Sequence, residues 1–313
     1  MIYTVTLNPA IDKTAVIPNF APGKVNRVQT LREDAGGKGI NVSKCLKALG
    51  TESVAVLLLA GDAGQRLAKL LEKEGLSLLC GEAEGETRTN LKIIAPDLGQ
   101  NTDINEPGAQ VNEGVLQNLL DTLCGKIVAG DIVVLAGSLP MGAPADTYRR
   151  WTESLQEKGA KVFLDADGVA MAQGVKGRPF AVKPNETELA RLLGKPMETE
   201  TQILAGGKDL LEMGVAQVMI SLGGDGALFL KKDRVYRAKS VKVEVKSTVG
   251  AGDSVVAAMA YGLEKGLPTE EIIPLAMAMG AASVMQSGTQ APDRELVLDL
   301  SKQVEFEGLW ERN

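Results

Sequence analysis

"DIVVLAG" (131–137) decides the fold class, because apolar residues fill every position between its aspartate and its closing glycine. A continuous apolar run of this kind is typical of a parallel strand that is covered on both faces, whereas a half-exposed strand alternates. Other short aliphatic or β-branched runs are "IYTVTL" (2–7), "SVAVLLL" (53–59), "KVFLDAD" (161–167), "FAVKP" (180–184) and "QVMISLG" (217–223). These runs predict the strands of a mainly parallel sheet.

Helical segments fall between the strands. We predict helices over 40–49, 64–74, 113–124, 145–158, 186–193, 199–213, 253–265 and 269–286. Strand–helix alternation implies right-handed βαβ units and a three-layer α/β/α domain. Ligands of such sheets bind beyond the carboxyl ends of the strands. Polar or glycine residues do follow the predicted strands: Asn8, Asp12, Gly61, Asp62, Gly137, Ser138, Asp165, Asp167, Asn185, Gly223 and Gly224.

Two segments, 13–35 and 86–108, interrupt this alternation with short β-like pieces between polar turns. We predict that "KTAVIP", "NRVQTL", "TRTNLKII" and "NTDINE" form a small antiparallel sheet inserted in the core. The predicted core then consists of residues 1–12, 36–85 and 109–313. A sheet this small cannot bury both of its faces alone. We therefore expect a β-sheet lid over a site, a homodimer contact, or both.

Composition excludes several classes of function. The 313 residues include no histidine, which rules out a Ser-His-Asp triad and any zinc site that depends on histidine. Proton transfer must then fall to a carboxylate, lysine, tyrosine or cysteine. The formal net charge of −6 argues against nucleic acid and acidic membrane surfaces as partners.

The cysteines and the apolar runs indicate a cytoplasmic protein. Cys45, Cys80 and Cys124 lie far apart and form no C-x-x-C motif, which favours reduced thiols. The start, "MIYTVTLNPAIDK", lacks the basic and then apolar pattern of a signal peptide. Runs such as "VAVLLLA" are too short to span a bilayer, so we expect no membrane partner.

"STVGAGDSV" (247–255) places small residues and an aspartate where a helix begins. The amides of Gly250, Ala251 and Gly252 would converge at the helix N-terminus and form an anion site. A phosphoryl group in transfer requires such donors, because charge builds on its peripheral oxygens. Asp253 could accept a proton from an attacking hydroxyl. An aspartate that merely caps the helix is an equally open alternative.

A second glycine-rich stretch, "AGGKGINVSKCLKALG" (35–50), also precedes a helix. Its glycines, including Gly37, allow a ligand to approach the backbone, and Lys38 and Asn41 could reach hydroxyls or a phosphate. The alternative is a glycine-rich turn with a solvent-facing lysine. The usual nucleotide signatures are missing: no Walker motif fits, and Val42 or Val255 occupies the third glycine position of G-x-G-x-x-G.

"VKPNETEL" (182–189) follows a strand and leads into a helix. Asn185 and Glu188 lie three residues apart and offer hard oxygens, which suit Mg²⁺ bound through water. The same spacing also fits a capping box, in which the two residues close the helix N-terminus.

Two further stretches carry binding residues. "SLGGDGALFL" (221–230) predicts a strand–turn–strand hairpin, whose glycines permit the close approach of a flat ligand. In "GETRTN" (85–90), Arg88 could make a bidentate contact with a phosphate or carboxylate. The alternative for Arg88 is an exposed arginine on an edge strand.

The order of these motifs resembles one family. "LNPAID", "GGKGINVS", "GSLP", "KPNETEL", "SLGGDGA" and "STVGAGDS" occur in the order seen in ribokinase-like (PfkB-type) carbohydrate kinases. The resemblance covers essentially the whole chain. Within the family, "TLNPAID", "GGKGINVSK" and "GETRTN" are most similar to the branch that phosphorylates fructose 1-phosphate, and next to kinases of tagatose 6-phosphate.

The resemblance implies a role for each matching residue. Asp253 matches the catalytic base, and Gly250, Ala251 and Gly252 match the anion hole. Positions that match the sugar-phosphate site are Asp12, Gly37, Lys38, Asn41, Arg88 and Ser138. Positions that match the ATP site are Lys183, Asn185, Ser221, Gly223, Gly226 and Thr248. Asn185 and Glu188 match the motif that organises Mg²⁺.

The implied partners are ATP with Mg²⁺ and a phosphorylated hexose. Lys38 does not discriminate among substrates, because kinases of free sugars in the family also carry it, so Arg88 bears more of the inference of a phosphorylated substrate. Fructose 1-phosphate, tagatose 6-phosphate and fructose 6-phosphate stay open as substrates. A non-catalytic sugar-phosphate or nucleotide sensor on the same fold and a nicotinamide dehydrogenase are the rival classes.

Overall fold

A ten-stranded sheet forms the middle layer of the protein within residues 1–309, the part of the chain that this computed structural model describes. From edge to edge its strands are β14 (Phe306–Leu309), β13 (Arg234–Ala238), β12 (Ala227–Lys231), β11 (Gln217–Ser221), β10 (Ala181–Val182), β9 (Lys161–Asp165), β8 (Ile132–Ala136), β1 (Ile2–Thr6), β4 (Ser53–Leu59) and β5 (Ser77–Glu82). The strands from β11 to β5 pair in parallel, and β12, β13 and β14 add antiparallel ladders at one edge. The predicted fold class is confirmed.

Helices cover both faces of this sheet. They are α1 (Lys38–Ala48), α2 (Gly61–Lys73), α3 (Glu113–Cys124), α4 (Thr147–Glu157), α5 (Gly168–Gly174), α6 (Glu186–Leu193), α7 (Glu200–Glu212), α8 (Ala251–Glu264), α9 (Thr269–Val284) and α10 (Arg294–Ser301). Val133 and Leu135 of β8 pack into the core under α3 to α7, whereas Ile132 and Val134 pack under α1, α8 and α9. Burial on both sides explains why this strand is apolar throughout.

A separate four-stranded sheet, called the small sheet below, has the order β3 (Thr30–Gly36), β2 (Ala10–Val16), β6 (Arg88–Ala95) and β7 (Gln100–Ile104). The prediction of a purely antiparallel sheet is wrong, because β2 and β6 pair in parallel. The two strands follow β1 and β5, parallel strands that lie on either side of β4 in the main sheet, so they leave the same edge in the same direction. Strand β2 starts at Ala10, inside the predicted core range 1–12, and "NRVQTL" is a strand only from Thr30.

Other differences have local causes. "FAVKP" provides only the two-residue strand β10, because Pro184 has no N–H for a ladder. The hairpin predicted over 221–230 is confirmed by the antiparallel pair β11 and β12. Strands β5, β13 and β14 and helices α5 and α10 were not predicted. Residues 310–313 of the predicted core lie outside the described part of the chain. Among residues 1–309, no helix has the length and apolar character needed to cross a bilayer.

Candidate active site

A cavity of about 540 Å³ opens at the carboxyl edge of the main sheet, next to the small sheet. Most residues that the sequence singled out line it together: Asp12, Gly37, Lys38, Asn41, Arg88, Ser138, Lys183, Asn185, Glu188, Ser221, Gly250, Gly252 and Asp253. The remaining predicted residues, Thr248, Ala251, Gly223 and Gly226, are not part of this lining. The cavity therefore joins both glycine-rich stretches, the N-x-x-E motif and the G-E-T-R-T-N segment.

Asp253 lies in the first turn of α8 and is only 6% exposed. Asn41, from the first turns of α1, donates a hydrogen bond from Nδ2 to Asp253 Oδ2 at 2.8 Å. Burial and the negative charge of Asp165 raise the pKa of Asp253 to about 7, although Asn41 and the nearby lysines oppose the rise. A carboxylate with a pKa near neutrality is suited to general base catalysis.

The amides predicted to bind an anion lie at the start of α8, where the Ala251 amide donates a long hydrogen bond to the Thr248 carbonyl at 3.4 Å. Gly250 has a φ of 82°, a left-handed conformation that favours glycine, and it precedes the helix. The Ser254 amide makes the i to i−4 bond to the Gly250 carbonyl at 2.9 Å, so the amides of residues 251–253 precede the regular ladder. A Cβ at Gly252 would lie 2.9 Å from Lys183 Nζ, which shows how closely the lysine approaches the start of the helix.

A buried ion cluster stands beside the aspartate. Asp165 ends β9, is 2% exposed, and accepts a hydrogen bond from Lys38 Nζ at 3.1 Å. Lys183 Nζ lies 3.9 Å from the same carboxylate oxygen. Burial alone would raise the pKa of Asp165, but Lys183 and Lys38 outweigh it and hold that pKa below its usual value. Burial opposes the charge on Lys38, yet Asp165 and Asp253 keep the Lys38 pKa above its usual value.

The small sheet contributes the other side chains of the cavity. Asp12 on β2 accepts a hydrogen bond from Asn90 Nδ2 on β6 at 2.8 Å. Arg88 donates from Nη2 to the Asn8 carbonyl at 3.0 Å and from Nη1 to the Glu106 carbonyl at 3.5 Å. Burial raises the pKa of Asp12 and lowers the pKa of Arg88. The guanidinium is thus fixed by main-chain carbonyls at the cavity wall.

Asn185 and Glu188 form the capping box that was the alternative in the sequence. Asn185 Oδ1 accepts from the Glu188 amide at 2.8 Å, and Glu188 Oε2 accepts from the Asn185 amide at 2.9 Å. In residues 1–309, no group of three or more His, Cys, Asp and Glu side chains is arranged to hold a metal ion. Yet Glu188 lines the cavity, and Asp165 Oδ2 is buried with no hydrogen-bond partner in the described part of the chain. This sparse oxygen set fits a divalent cation held mainly by water and phosphate.

Unpartnered buried polar atoms concentrate around the cavity. Six side-chain atoms in the described residues are buried without a hydrogen-bond partner, and four of them belong to Asn41, Arg88, Asn90 and Asp165. Each such atom costs about 1–3 kcal/mol of stability. Their clustering is expected where the fold retains polar groups for a polar ligand rather than for its own stability.

The sequence did not assign roles to several residues of this cavity. The signal for Asp165 in the sequence is its place as a polar residue at the end of a strand. Asn8 also follows a strand, and its Nδ2 donates to the Pro107 carbonyl at 3.2 Å and to Ser138 Oγ at 3.3 Å. Thr289 lines the cavity from the segment after α9, and no motif pointed to it.

The chain is similar to several known proteins along most of its length. A 1-phosphofructokinase from Bacillus subtilis is 38% identical over 283 residues, which cover 90% of this chain and 92% of that protein. A 1-phosphofructokinase from Xanthomonas campestris is 40% identical over 265 residues, covering 83% of each chain. Phosphofructokinase-2 from Escherichia coli in complex with fructose-6-phosphate superposes with a TM-score of 0.90 at 27% identity, covering 96% of this chain and 98% of that one.

The family comparison reaches across nearly the whole chain. Residues 5–296 match the pattern described as pfkB family carbohydrate kinase. The matched range includes every residue named in the cavity, from Asn8 to Thr289. The resemblance inferred from the motifs is therefore confirmed, and it brings with it phosphoryl transfer from ATP. This chain belongs to the pfkB family of carbohydrate kinases and is an ATP-dependent phosphotransferase.

Proposed function

We propose that this kinase transfers the γ-phosphoryl group of ATP to the 6-hydroxyl of fructose 1-phosphate, giving fructose 1,6-bisphosphate and ADP. The observation that carries the proposal is the buried Asp253 carboxylate, which shares one cavity with Lys38, Arg88 and Asp12. One base, two cations and a hydroxyl-binding carboxylate are what a phosphorylated sugar requires. The relatives named 1-phosphofructokinase support fructose 1-phosphate over the other sugar phosphates.

Asp253 acts as the general base. Its carboxylate accepts the proton of the 6-hydroxyl while the sugar oxygen attacks the γ-phosphorus in line. The bond between the γ-phosphorus and the β–γ bridging oxygen breaks, and that oxygen leaves with ADP. Asn41 holds the carboxylate at a fixed orientation through its 2.8 Å hydrogen bond. The proton transfer needs no histidine, in agreement with the composition.

The main chain at 250–253 stabilises the charge that builds on the migrating group. Amides at the first turn of α8 have no helical partner and lie at the positive end of the helix dipole. Lys183, beside Gly252, adds a positive charge where the nucleotide phosphates would lie. We assign ATP to the groove along Ser221, Gly223, Gly226 and Thr248, next to Lys183 and Asn185.

Mg²⁺ is the divalent cation that we expect to accompany ATP. When bound, it supplies positive charge that neutralises the phosphate oxygens. Asn185 and Glu188 would hold it through water rather than directly, because a side-chain oxygen of each already accepts a hydrogen bond from a backbone amide at the N-terminus of α6. The protein itself holds the two residues in place through their reciprocal hydrogen bonds.

The sugar phosphate binds between the core and the small sheet. Asp12 and Asn41, with the Gly37 backbone, contact the sugar hydroxyls. The phosphate contacts Arg88, Lys38 and Ser138, since two cations and a hydroxyl suit a phosphate dianion. We propose that residues 13–35 and 86–108 act as a lid that closes on the sugar and excludes water, which limits ATP hydrolysis.

The outer face of the small sheet suits a second copy of the chain. Ala15 and Ile93 are buried there, whereas Leu31 and Ile104 are 55% and 52% exposed. The other face of the small sheet borders the ligand cavity. The exposed apolar residues of the outer face therefore need another protein surface to shield them from water. We therefore propose a homodimer formed through the small sheets.

We also propose a cytoplasmic location. Cys45, Cys80 and Cys124 are all free thiols. Unpaired cysteines are typical of a reducing compartment, and the cytoplasm is where ATP and phosphorylated sugars are available together.

The decisive experiment is a substrate panel with purified protein, in which ADP release from Mg-ATP is coupled to a second enzyme. We expect the highest kcat/KM with fructose 1-phosphate, and lower values with tagatose 6-phosphate, fructose 6-phosphate and free fructose. A higher kcat/KM with tagatose 6-phosphate would replace the proposed substrate. Tight binding without any ADP release would support a sensor and overturn the proposed function.

A further inference from the structure

Asn90 stands beside the sugar site, although no sequence motif gave it a role. It lies on β6 directly opposite Asp12 of β2 in the parallel ladder. Because strand side chains alternate between faces, Asn90 shares a face with Arg88, two residues before it. Its Nδ2 donates to Asp12 Oδ1 at 2.8 Å. Among the described residues, Asp12 has no other hydrogen-bond donor from a side chain.

The other side of the Asp12 carboxylate packs against Gly36, which has no side chain. A Cβ built on Gly36, at the end of β3, would collide with the carboxylate oxygens. The carboxylate therefore lies between Gly36 and the amide of Asn90, and these two neighbours fix its orientation. Without the amide of Asn90, the carboxylate would be free to rotate away from the active-site cavity that Asp12 lines. Asn90 itself borders a second, adjoining pocket, which it shares with Asp12.

The amide of Asn90 also affects the protonation of Asp12, together with the charges around it. Arg88 on β6 and Lys44 on α1 favour the ionised carboxylate, whereas Asp34 on β3 disfavours it. Burial outweighs these effects and raises the pKa of Asp12, while the hydrogen bond from Asn90 counteracts the rise. Without that bond, a larger fraction of Asp12 would be protonated at mildly acidic pH.

Asn90 is also not optimised for stability. Its Oδ1 is buried and has no hydrogen-bond partner among residues 1–309, a condition that costs about 1–3 kcal/mol. An asparagine retained only to tie two strands together would be expected to use both ends of its amide. The residue keeps one donor on Asp12 and leaves its acceptor unsatisfied.

We infer that Asn90 is a positioning residue of the sugar site, which holds the Asp12 carboxylate ready to accept hydrogen bonds from the sugar hydroxyls. The inference rests on the proposed function, since it requires a sugar phosphate in this cavity. Asn90 acts through Asp12 rather than on the reacting atoms. Its loss should therefore weaken sugar binding and leave ATP binding unchanged.

The test compares Asn90→Ala and Asn90→Asp with the wild-type protein, using the sugar phosphate that the wild type phosphorylates best. We expect KM for that sugar to rise about tenfold in Asn90→Ala, as for one lost charge-assisted hydrogen bond. Asn90→Asp keeps the volume but removes the donor, so its KM should rise at least as much. KM for ATP should stay within about twofold in both variants, since ATP binds elsewhere.

Two controls separate positioning from simple packing. Asn101→Ala removes an exposed asparagine from β7 of the same sheet and should leave KM unchanged. In an Asp12→Ala background, Asn90→Ala should add little further loss, because the acceptor of its hydrogen bond is already gone. The sugar KM of Asn90→Ala should also rise more steeply on acidification than that of the wild type, since its Asp12 protonates more readily.

Each outcome has a separate meaning. If the wild-type protein turns over a sugar phosphate but Asn90→Ala has an unchanged KM for that sugar, the inference is overturned and the proposed function stays intact. An unchanged sugar KM in Asn90→Asp has the same meaning. An equal loss from Asn90→Ala with and without Asp12 shows that Asn90 does not act through Asp12, and also overturns it. Absence of wild-type turnover with every sugar phosphate overturns the proposed function, and the inference falls with it.

Discussion

The two sides of the cavity differ in how tightly the fold holds them. On the core side, Asp253 and Asn41 are 6% and 7% exposed and belong to the first turns of two packed helices, α8 and α1. On the small-sheet side, Asp12 and Arg88 are only partly buried and lie on strands with a half-open outer face. The chemical step requires rigidly held groups that are shielded from water, and the core side has the more buried side chains.

The largest effect should come from the core side. Asp253→Asn keeps the shape of the side chain but cannot accept the proton, so kcat should fall by about 10²–10⁴-fold. The sugar KM should change little, because the sugar contacts on the small sheet remain. Asp167→Asn, on the exposed rim of the same cavity, is the matched control and should keep most activity. Near-normal turnover of Asp253→Asn would remove the base from the proposed mechanism.

The small-sheet side should respond in KM instead. Arg88→Ala should raise KM for the sugar phosphate by about 10–100-fold, the range for hydrogen bonds to a charged group. Steady-state kinetics should show a much smaller change in kcat. Arg66→Ala is the control, since Arg66 pairs with Glu33 of the small sheet at 3.4 Å but lies outside the cavity. A fall in kcat without a rise in KM would contradict the division of roles.

The pH profile sharpens the comparison further. Asp253 must be ionised to accept a proton, so kcat/KM should fall as the pH drops through about 7, the raised pKa of this carboxyl. Asp165→Asn removes the negative charge that helps to raise the Asp253 pKa and also releases Lys38 and Lys183 from their ion pairs. The acidic limb of the profile should then move about one unit lower. A limb that stays in place, or moves higher, would show that Asp165 does not control the base.

The smallest effect concerns stability. In the unfolded chain the Asp253 pKa returns to about 3.9, whereas in the fold it is about 7. Between these values the folded state binds more protons, so wild-type stability falls as the pH rises, and it levels off above about pH 7. Asp253→Asn lacks this loss. Thermal melts should therefore show a Tm advantage of a few degrees for Asp253→Asn at about pH 8, shrinking toward about pH 5. A less stable variant at the higher pH would contradict the raised pKa.

The main fold was predictable because its central strands are buried on two sides. Neighbouring residues of β8, such as Val134 and Leu135, enter different halves of the core, and this leaves a continuous apolar run in the sequence. Strand β5 at one edge of the sheet and β13 next to the other edge lack that run, because they have exposed positions, and they were not predicted. The parallel pairing of β2 with β6 depends on where the core releases each strand, which no local pattern encodes.

The site was predictable only where a motif marked it. Asp253 and Asn41 lie 212 residues apart in the chain, and their separate glycine-rich stretches singled out both. Their hydrogen bond, and the lysines that share Asp165, could not be read from spacing because they depend on how α1, α8 and β9 meet. The pairing of Asn90 with Asp12 depends on strand register, which is a tertiary property.

Only three residues separate the end of β1 from the start of β2, and the ladder of β2 with β6 runs unbroken from Ala10 and Arg88 to Val16 and Ile94. The ladder joins β2 and β6 into one structural unit, so Asp12 and Arg88 would move together. If this unit moved away from the core, Asp12 and Arg88 would both lose contact with the sugar in one movement, whereas Lys38 and Asp253 would stay in place. Release of the bisphosphate product would then involve separation of the small-sheet side of the cavity from the core side, and the cavity would form again when the next sugar phosphate binds.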